Sequence, residues 1–276
     1  MSTSDQTLAA RFFFKNCAVS LHIPGEMRIS RTLTPGPDDV VIYRDFIAAG
    51  SPTDFIGPKS DFYRFLDVTS TTNASFIKKL TAIGYMLCNK FPRNGRRCRA
   101  FLCVNEQSGS YANGKSLFAQ SVAQLCNTVI IPGHDCNSKF CLSSVTEKTN
   151  LVLVDGILPN RSVQRFFHLC TQDWVIYRKY QEPLILNREK APYLLLTADT
   201  SVDKLRIDGA FRRRFVVLDF SSSFGPENPI DKYLGKLMFQ EWDVAQWHMF
   251  DNLMLYCALE YLRSYAKGED MFSFYA

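Results

Sequence analysis

The stretch Gly109-Ser110-Tyr111-Ala112-Asn113-Gly114-Lys115-Ser116 fits the pattern G-x-x-x-x-G-K-[ST] at every fixed position. Its spacing answers a chemical need. Two glycines let the backbone curl until its N–H groups point at phosphate oxygens. The lysine brings a positive charge to the β- and γ-phosphates, and the serine hydroxyl reaches Mg²⁺. Such a loop needs a buried strand before it and a helix after it, because the helix turns its positive N-terminal end toward the same anion. Residues 100–104 are a short apolar run that predicts the strand, and residues 117–125 predict the helix.

The rest of the chain sets bounds around that loop. At 276 residues it suggests about two domains. An apolar fraction of 46% with 21% charged residues excludes a disordered chain. A net charge of +5 is compatible with nucleic acid but requires any basic patch to be local. No apolar run approaches the ~18 residues of a membrane span, and the first residues lack a basic region followed by an apolar core, so no signal peptide is expected. The nine cysteines are scattered, several inside apolar runs, as small hydrophobes of a reduced protein are. Cys98 with Cys103, and Cys136 with Cys141, stand only at the edge of zinc-ligand spacing, and Cys103 falls in the expected buried strand.

Residues 1–60 read as a mixed segment in which 11–14 and 17–23 could be strands and 39–47 is a strand or a helix start, with turn signals at Pro24-Gly25 and Pro35-Gly36-Pro37. Residues 61–98 read as helical, with Phe62, Phe65 and Leu66, then Phe76, Ile77, Leu80 and Ile83 at three- and four-residue spacing, and Thr71 or Thr72 as the second helix's cap. Residues 99–225 alternate strand and helix, which predicts an α/β core with a mainly parallel sheet. Its further strands are expected at 150–155, 193–198 and 215–220. Residues 226–276 end in a helix over 243–265, opened by an Asp243/Gln246 capping box and striped by Trp247, Phe250, Met254, Cys257 and Tyr261.

Hydrolysis of a bound triphosphate needs more than the loop. Asp155 ends an apolar strand about 40 residues further on, where a Mg²⁺-supporting carboxylate is expected. Many such ATPases carry a second acid at the next position to polarise the attacking water. Here that position is Gly156, and the nearest other acid, Glu147, precedes the strand. Asp199, past the next strand, is either a group that orients the γ-phosphate or water, or a strand-end turn residue. Arg212, Arg213 and Arg214 abut the last strand, and a guanidinium reaching a neighbouring subunit's phosphate would stabilise transition-state charge. Residues 173–186 read as a hairpin with Arg178, Lys179 and Tyr180 near its tip, groups that pair with phosphates and stack on bases.

Taken in order, these parts resemble the superfamily 3 helicases of viruses, phages and mobile elements, and within them the helicase half of phage- and plasmid-type primase–helicases. The resemblance covers roughly residues 65–265 and includes Ala191-Pro192-Tyr193 and Glu241-Trp242-Asp243. It implies an AAA+-like P-loop NTPase core that assembles as a homo-oligomeric ring, a hexamer, with ATP and Mg²⁺ between subunits. It matches Gly109, Asn113, Gly114, Lys115, Ser116 and Leu117 to nucleotide, Ser116 and Asp155 to the metal, and Lys115, Asp155, Asp199 and Arg214 to catalysis. Arg212 and Arg213 are second choices for the trans-acting arginine. Arg178 and Lys179 would face single-stranded or forked DNA, with Lys179 matching the family's hairpin lysine. The resemblance also implies a primase, as partner or fused domain, and a phage or mobile-element protein in a bacterial cytoplasm, with no membrane association. Two positions depart from the family: Gly156 replaces the second acid, and Asp199 stands where an Asn is expected.

Overall fold

The computed structural model describes residues 7–37, 39–88, 99–107, 113–158, 163–269 and 271–272. Gly109 to Ala112, Cys98 and the basic loop at 92–97 lie outside the described residues.

The chain begins with a small sheet of strands β1 (Leu8–Phe14), β2 (Ala18–His22), β3 (Glu26–Ser30) and β4 (Val40–Ile42), in the order β3-β2-β1-β4. The first three pair antiparallel, and β4 returns parallel to β1 with Phe13 opposite Val41. β1 and β2 are buried along nearly their whole length, so neither carries the apolar–polar alternation that marks a half-exposed strand.

Two helices follow, α1 (Asp61–Val68) and α2 (Asn73–Leu87). The Ser60 hydroxyl accepts the Tyr63 amide at 3.3 Å, and that of Thr72 accepts Ser75's at 3.1 Å, so Thr72 is the cap of the second helix. Thr71 donates instead to the Asp219 carboxylate. From the middle of α2 the buried Lys79 reaches the turn between the helices, donating to the Thr69 carbonyl at 2.7 Å and to Ser70 Oγ at 3.0 Å, against the ring of Phe220. Burial lowers this ammonium's pKa to about 8, against the pull of Asp219.

The core is a five-stranded, all-parallel sheet flanked by helices. Its elements are β5 (Ala100–Asn105), α3 (Lys115–Ala123), β6 (Thr128–Pro132) and β7 (Leu151–Ile157). A hairpin of β8 (Trp174–Ile176) and β9 (Leu184–Leu186) comes next. After it come β10 (Tyr193–Ser201), α4 (Gly209–Arg212) and β11 (Phe215–Phe220). The strand order is β11-β5-β10-β7-β6. β6 has no counterpart among the expected strands. It is a short edge strand, half exposed, and lacks the long apolar run of its neighbours.

The other four strands are covered on both faces, which is why they read as apolar runs. Phe101, Cys103, Leu153, Leu195 and Leu218 face the layer of α2, α3 and the C-terminal helix. Leu102, Val104, Val154 and Leu196 face Phe166, Leu169, Trp174 and Phe211 on the other side.

The chain closes with α5 (Ile230–Leu234) and α6 (Val244–Ala266). Asp243 caps α6 by accepting the Gln246 amide at 2.8 Å. The Gln246 side chain does not return the bond as a capping box would. Its Oε1 accepts the Asp61 amide and its Nε2 donates to the Lys59 carbonyl, both at 2.9 Å, which ties α6 to the start of α1. The wholly buried Asp251 takes a two-pronged contact from Arg44, Nε to Oδ2 at 2.8 Å and Nη2 to Oδ1 at 2.5 Å, while Arg44 lies over Trp247. Asn252 beside it closes on the Ala49 amide and the Ile47 carbonyl. The N-terminal segment is thus fixed to the C-terminal helix. Among the described residues no helix is long and apolar enough to cross a membrane.

Burial raises the Asp251 carboxyl above its ordinary range even with Arg44 beside it. Removing the guanidinium leaves that charge buried and unpaired. Arg44→Ala is expected to lower unfolding free energy by about 3–5 kcal/mol, read from urea unfolding midpoints. A change below about 1 kcal/mol would show that water replaces the guanidinium at little cost.

Candidate nucleotide-binding site

All five core strands point their C-terminal ends to one edge of the sheet, where open α/β folds place ligands. The described half of the loop lies there, between the end of β5 and the start of α3. Gly114 is the N-cap of α3 at φ +90, in the left-handed region. A Cβ at this position would stand 2.7 Å from Phe65 Cε2 and 2.8 Å from Ile230 Cδ1. Both the backbone angle and the pressure of α1 and α5 therefore require glycine.

Lys115 is buried at the first turn of α3. Its ammonium donates to Asn105 Oδ1 and, at 3.1 Å, to Asn113 Oδ1, and it lies 3.5 Å from the Asp199 carboxylate. Asn113 in turn donates to Asn105 at 2.8 Å. Burial pushes the Lys115 pKa down and Asp199 pulls it back. These are the contacts that an incoming phosphate would exchange for its own oxygens. Asn105 is the member that the loop motif does not point to; its one sequence signal is a polar residue ending an apolar strand. Leu117 turns into the main core.

At the next residue, Ser116 Oγ donates to Asp155 Oδ1 at 2.8 Å. The hydroxyl proton is thereby committed, which leaves the serine oxygen's lone pairs for a cation. A hydroxyl and a carboxylate are hard oxygen donors that suit Mg²⁺ held jointly with phosphates. The described residues contain no group of three or more His, Cys, Asp and Glu that could hold a metal ion by themselves. The two donors present fit the Mg²⁺ of a nucleotide complex.

Asp155 owes its direction to a bulge. β7 pairs with β10 at Val154–Leu196 and again at Ile157–Ala198, so Asp155 and Gly156 together oppose the single Thr197. Gly156 takes φ +75 there. The backbone also runs tight against the next strand: Gly133 N donates to the Asp155 carbonyl at 2.6 Å, and a Cβ on Gly133 would fall 2.1 Å from the Gly156 carbonyl. The residue at the second-acid position thus serves the backbone. β10 bulges as well: between its pairings Thr197–Cys103 and Ser201–Asn105 it carries two more residues than β5, and Asp199 lies on that bulge. Glu147 is exposed and lies before the opposite end of β7, and Leu151 to Asp155 alone spans about 13 Å. It does not join the site within one chain.

The arginines stand at the other edge of the sheet, since β11 runs parallel from Phe215 to Phe220 and covers about 17 Å. Arg214 is turned inward, its Nη1 donating to the Ala210 carbonyl at 3.0 Å and its guanidinium lying over Phe167. Arg212 and Arg213 are exposed. In the hairpin, Trp174, Ile176 and Leu186 are buried against the sheet. Arg178 holds the 143–145 turn, donating to the Val145 carbonyl at 2.8 Å and the Ser143 carbonyl at 3.3 Å. Lys179 is exposed, and Tyr180 projects fully into solvent at φ +59.

An all-parallel five-stranded sheet flanked by helices, with the glycine–lysine–serine turn at the mouth of β5, is consistent with a P-loop NTPase-like core. No family model matches the chain, and no curated protein matches it. Among solved structures it is similar to the A-form apo structure of the NrS-1 C-terminal region, with TM-score 0.46 and 12% identity over 94% of this chain and 67% of that one. A second structure of that region, spanning residues 305–718, gives TM-score 0.43 and 10% identity over 98% and 71%. JCV helicase with a bound thiazolopyridine acetamide gives TM-score 0.37 and 13% identity over 74% and 60%. Shared family membership does not follow from likeness at this level.

The bulge can be tested directly. A Cβ on Gly156 meets no neighbour within 4 Å, so Gly156→Ala isolates the backbone angle. It is expected to lower stability by about 1–2 kcal/mol in denaturant titration; an unchanged midpoint would show that the bulge relaxes freely.

Proposed function

We propose that this chain is an ATP-dependent, ring-forming DNA helicase acting in phage or plasmid replication. The observation that carries this reading is the convergence of Lys115, Ser116 and Asp155 at one sheet edge, in a chain that also presents a basic hairpin to solvent. Lys115 releases Asn105, Asn113 and Asp199 to take phosphate oxygens. Ser116 and Asp155 would hold a Mg²⁺, which when bound would supply charge neutralisation at those oxygens. An arginine from the opposite sheet edge of a neighbouring subunit stabilises the charge that develops as the γ-phosphate leaves. Arg214 is the family-matched choice, and the exposed Arg212 and Arg213 are its alternatives. Lys179, with Tyr180 beside it, grips the phosphates and bases of single-stranded DNA.

ATP turnover measured with and without single-stranded DNA tests this. Wild type is expected to be stimulated by DNA, Lys115→Ala to fall to background, and Lys179→Ala to lose the stimulated increment. Equal inactivity of wild type and Lys115→Ala would exclude hydrolysis as the function.

A second reading is favoured by two observations, the glycine at position 156 and the contact of Asp199 with Lys115. It is a nucleotide-gated ring that binds or loads DNA with weak or no hydrolysis. Under this reading wild type enlarges on sizing with ATP–Mg²⁺ and a DNA fork yet turns over no faster than Lys115→Ala, while Asp199→Asn raises turnover. Gly156→Glu is a poor probe of the missing acid, because any side chain there carries the cost of the left-handed backbone.

A further inference from the structure

The most tightly built polar group at the site's edge is one that neither the loop motif nor the expected acid positions identify. Thr197 is fully buried on β10, directly opposite the β7 bulge. Its single hydroxyl makes two contacts in opposite senses. It donates its proton to Asp155 Oδ1 at 2.5 Å, and it accepts the Gly156 amide at 2.8 Å. A bulge leaves a residue out of the regular ladder, and here the displaced amide finds its acceptor in this side chain.

The Ser116 and Thr197 hydroxyls therefore converge on the same carboxylate oxygen, Oδ1 of Asp155. Two protons on one oxygen fix the plane of the carboxylate and leave Oδ2 to face a cation or its water shell. Valine in place of threonine would keep the shape and the packing. It would remove one of the two protons on Oδ1 and strand the Gly156 amide, so the carboxylate could rotate away from Ser116.

The geometry points to Thr197 as a positioning residue for the metal. Acting through Asp155, it sets the carboxylate and Ser116 toward one shared Mg²⁺ position and locks the glycine bulge that makes this possible. This rests on the reading of the site as one for a Mg²⁺–nucleotide complex. Groups that orient a metal ligand in this way are typically worth about 10–100-fold in metal affinity.

The test is a Mg²⁺ titration of a fluorescent ATP analogue bound to the full chain, with binding in EDTA and the thermal midpoint measured alongside. Thr197→Val is expected to raise half-saturating Mg²⁺ by about tenfold or more, with binding in EDTA unchanged. Thr197→Ser, which keeps the hydroxyl, is expected to stay within about twofold of wild type. A lowered thermal midpoint with half-saturating Mg²⁺ unchanged would mark a purely structural threonine and overturn the assignment. Should the valine chain not fold, Thr197→Cys, a weak donor and acceptor, carries the test, and an unshifted value there overturns it equally. If wild type itself binds the analogue no better with Mg²⁺ than in EDTA, the metal–nucleotide reading fails and this inference falls with it. If wild type responds to Mg²⁺ and the variants titrate as wild type, only the role of Thr197 is refuted.

Discussion

Asp155 stands where three elements must agree. One of its oxygens accepts a hydrogen bond from the start of α3 and another from the middle of β10, while its own backbone bends through the Gly156 bulge. Charge-assisted bonds of this kind are short and directional. They can form only if the parallel sheet brings the ends of β5, β7 and β10 to the same edge. The same edge gathers Asn105, Asn113 and Asp199 around Lys115. The site therefore depends less on any one residue than on the register of three adjacent strands, which two bulges adjust.

Support for the loop extends far along the chain. Phe65 of α1 and Ile230 of α5 close on Gly114. α1 is held in turn by the Gln246 side chain at its start and by Lys79 at its end. α6, which carries Gln246, also carries Asp251, the anchor for Arg44 and with it the N-terminal sheet. A buried ion pair of this sort adds little net stability, because desolvation offsets attraction, but its loss is costly. Its effect here is to specify how the two ends of the chain meet.

How much of this can be read from residues alone follows from burial pattern. β5, β7, β10 and β11 are legible because a strand covered on both faces must be apolar throughout. β6 is not, because an edge strand needs only half that signal. β1 and β2 are buried without alternation and are too short to distinguish by periodicity from other apolar segments. Gln246 looks like half of a capping box, and only packing against α1 redirects its side chain. Arg212, Arg213 and Arg214 are alike in sequence; the ring of Phe167 and the Ala210 carbonyl distinguish Arg214 from the other two.

The sequence by itself determined the phosphate-loop pattern, the α/β alternation and the carboxylate at the end of β7, because glycine curvature, apolar runs and charge are local properties written in residue order. It also announced that position 156 holds no acid. Only the tertiary structure decided what stands there: a left-handed glycine whose carbonyl lies close to Gly133 just past β6, with Thr197 of β10 accepting its amide and donating to Asp155. The reason is physical. A bulge exists only relative to a paired strand, and the residue that stabilises it lies 41 positions away.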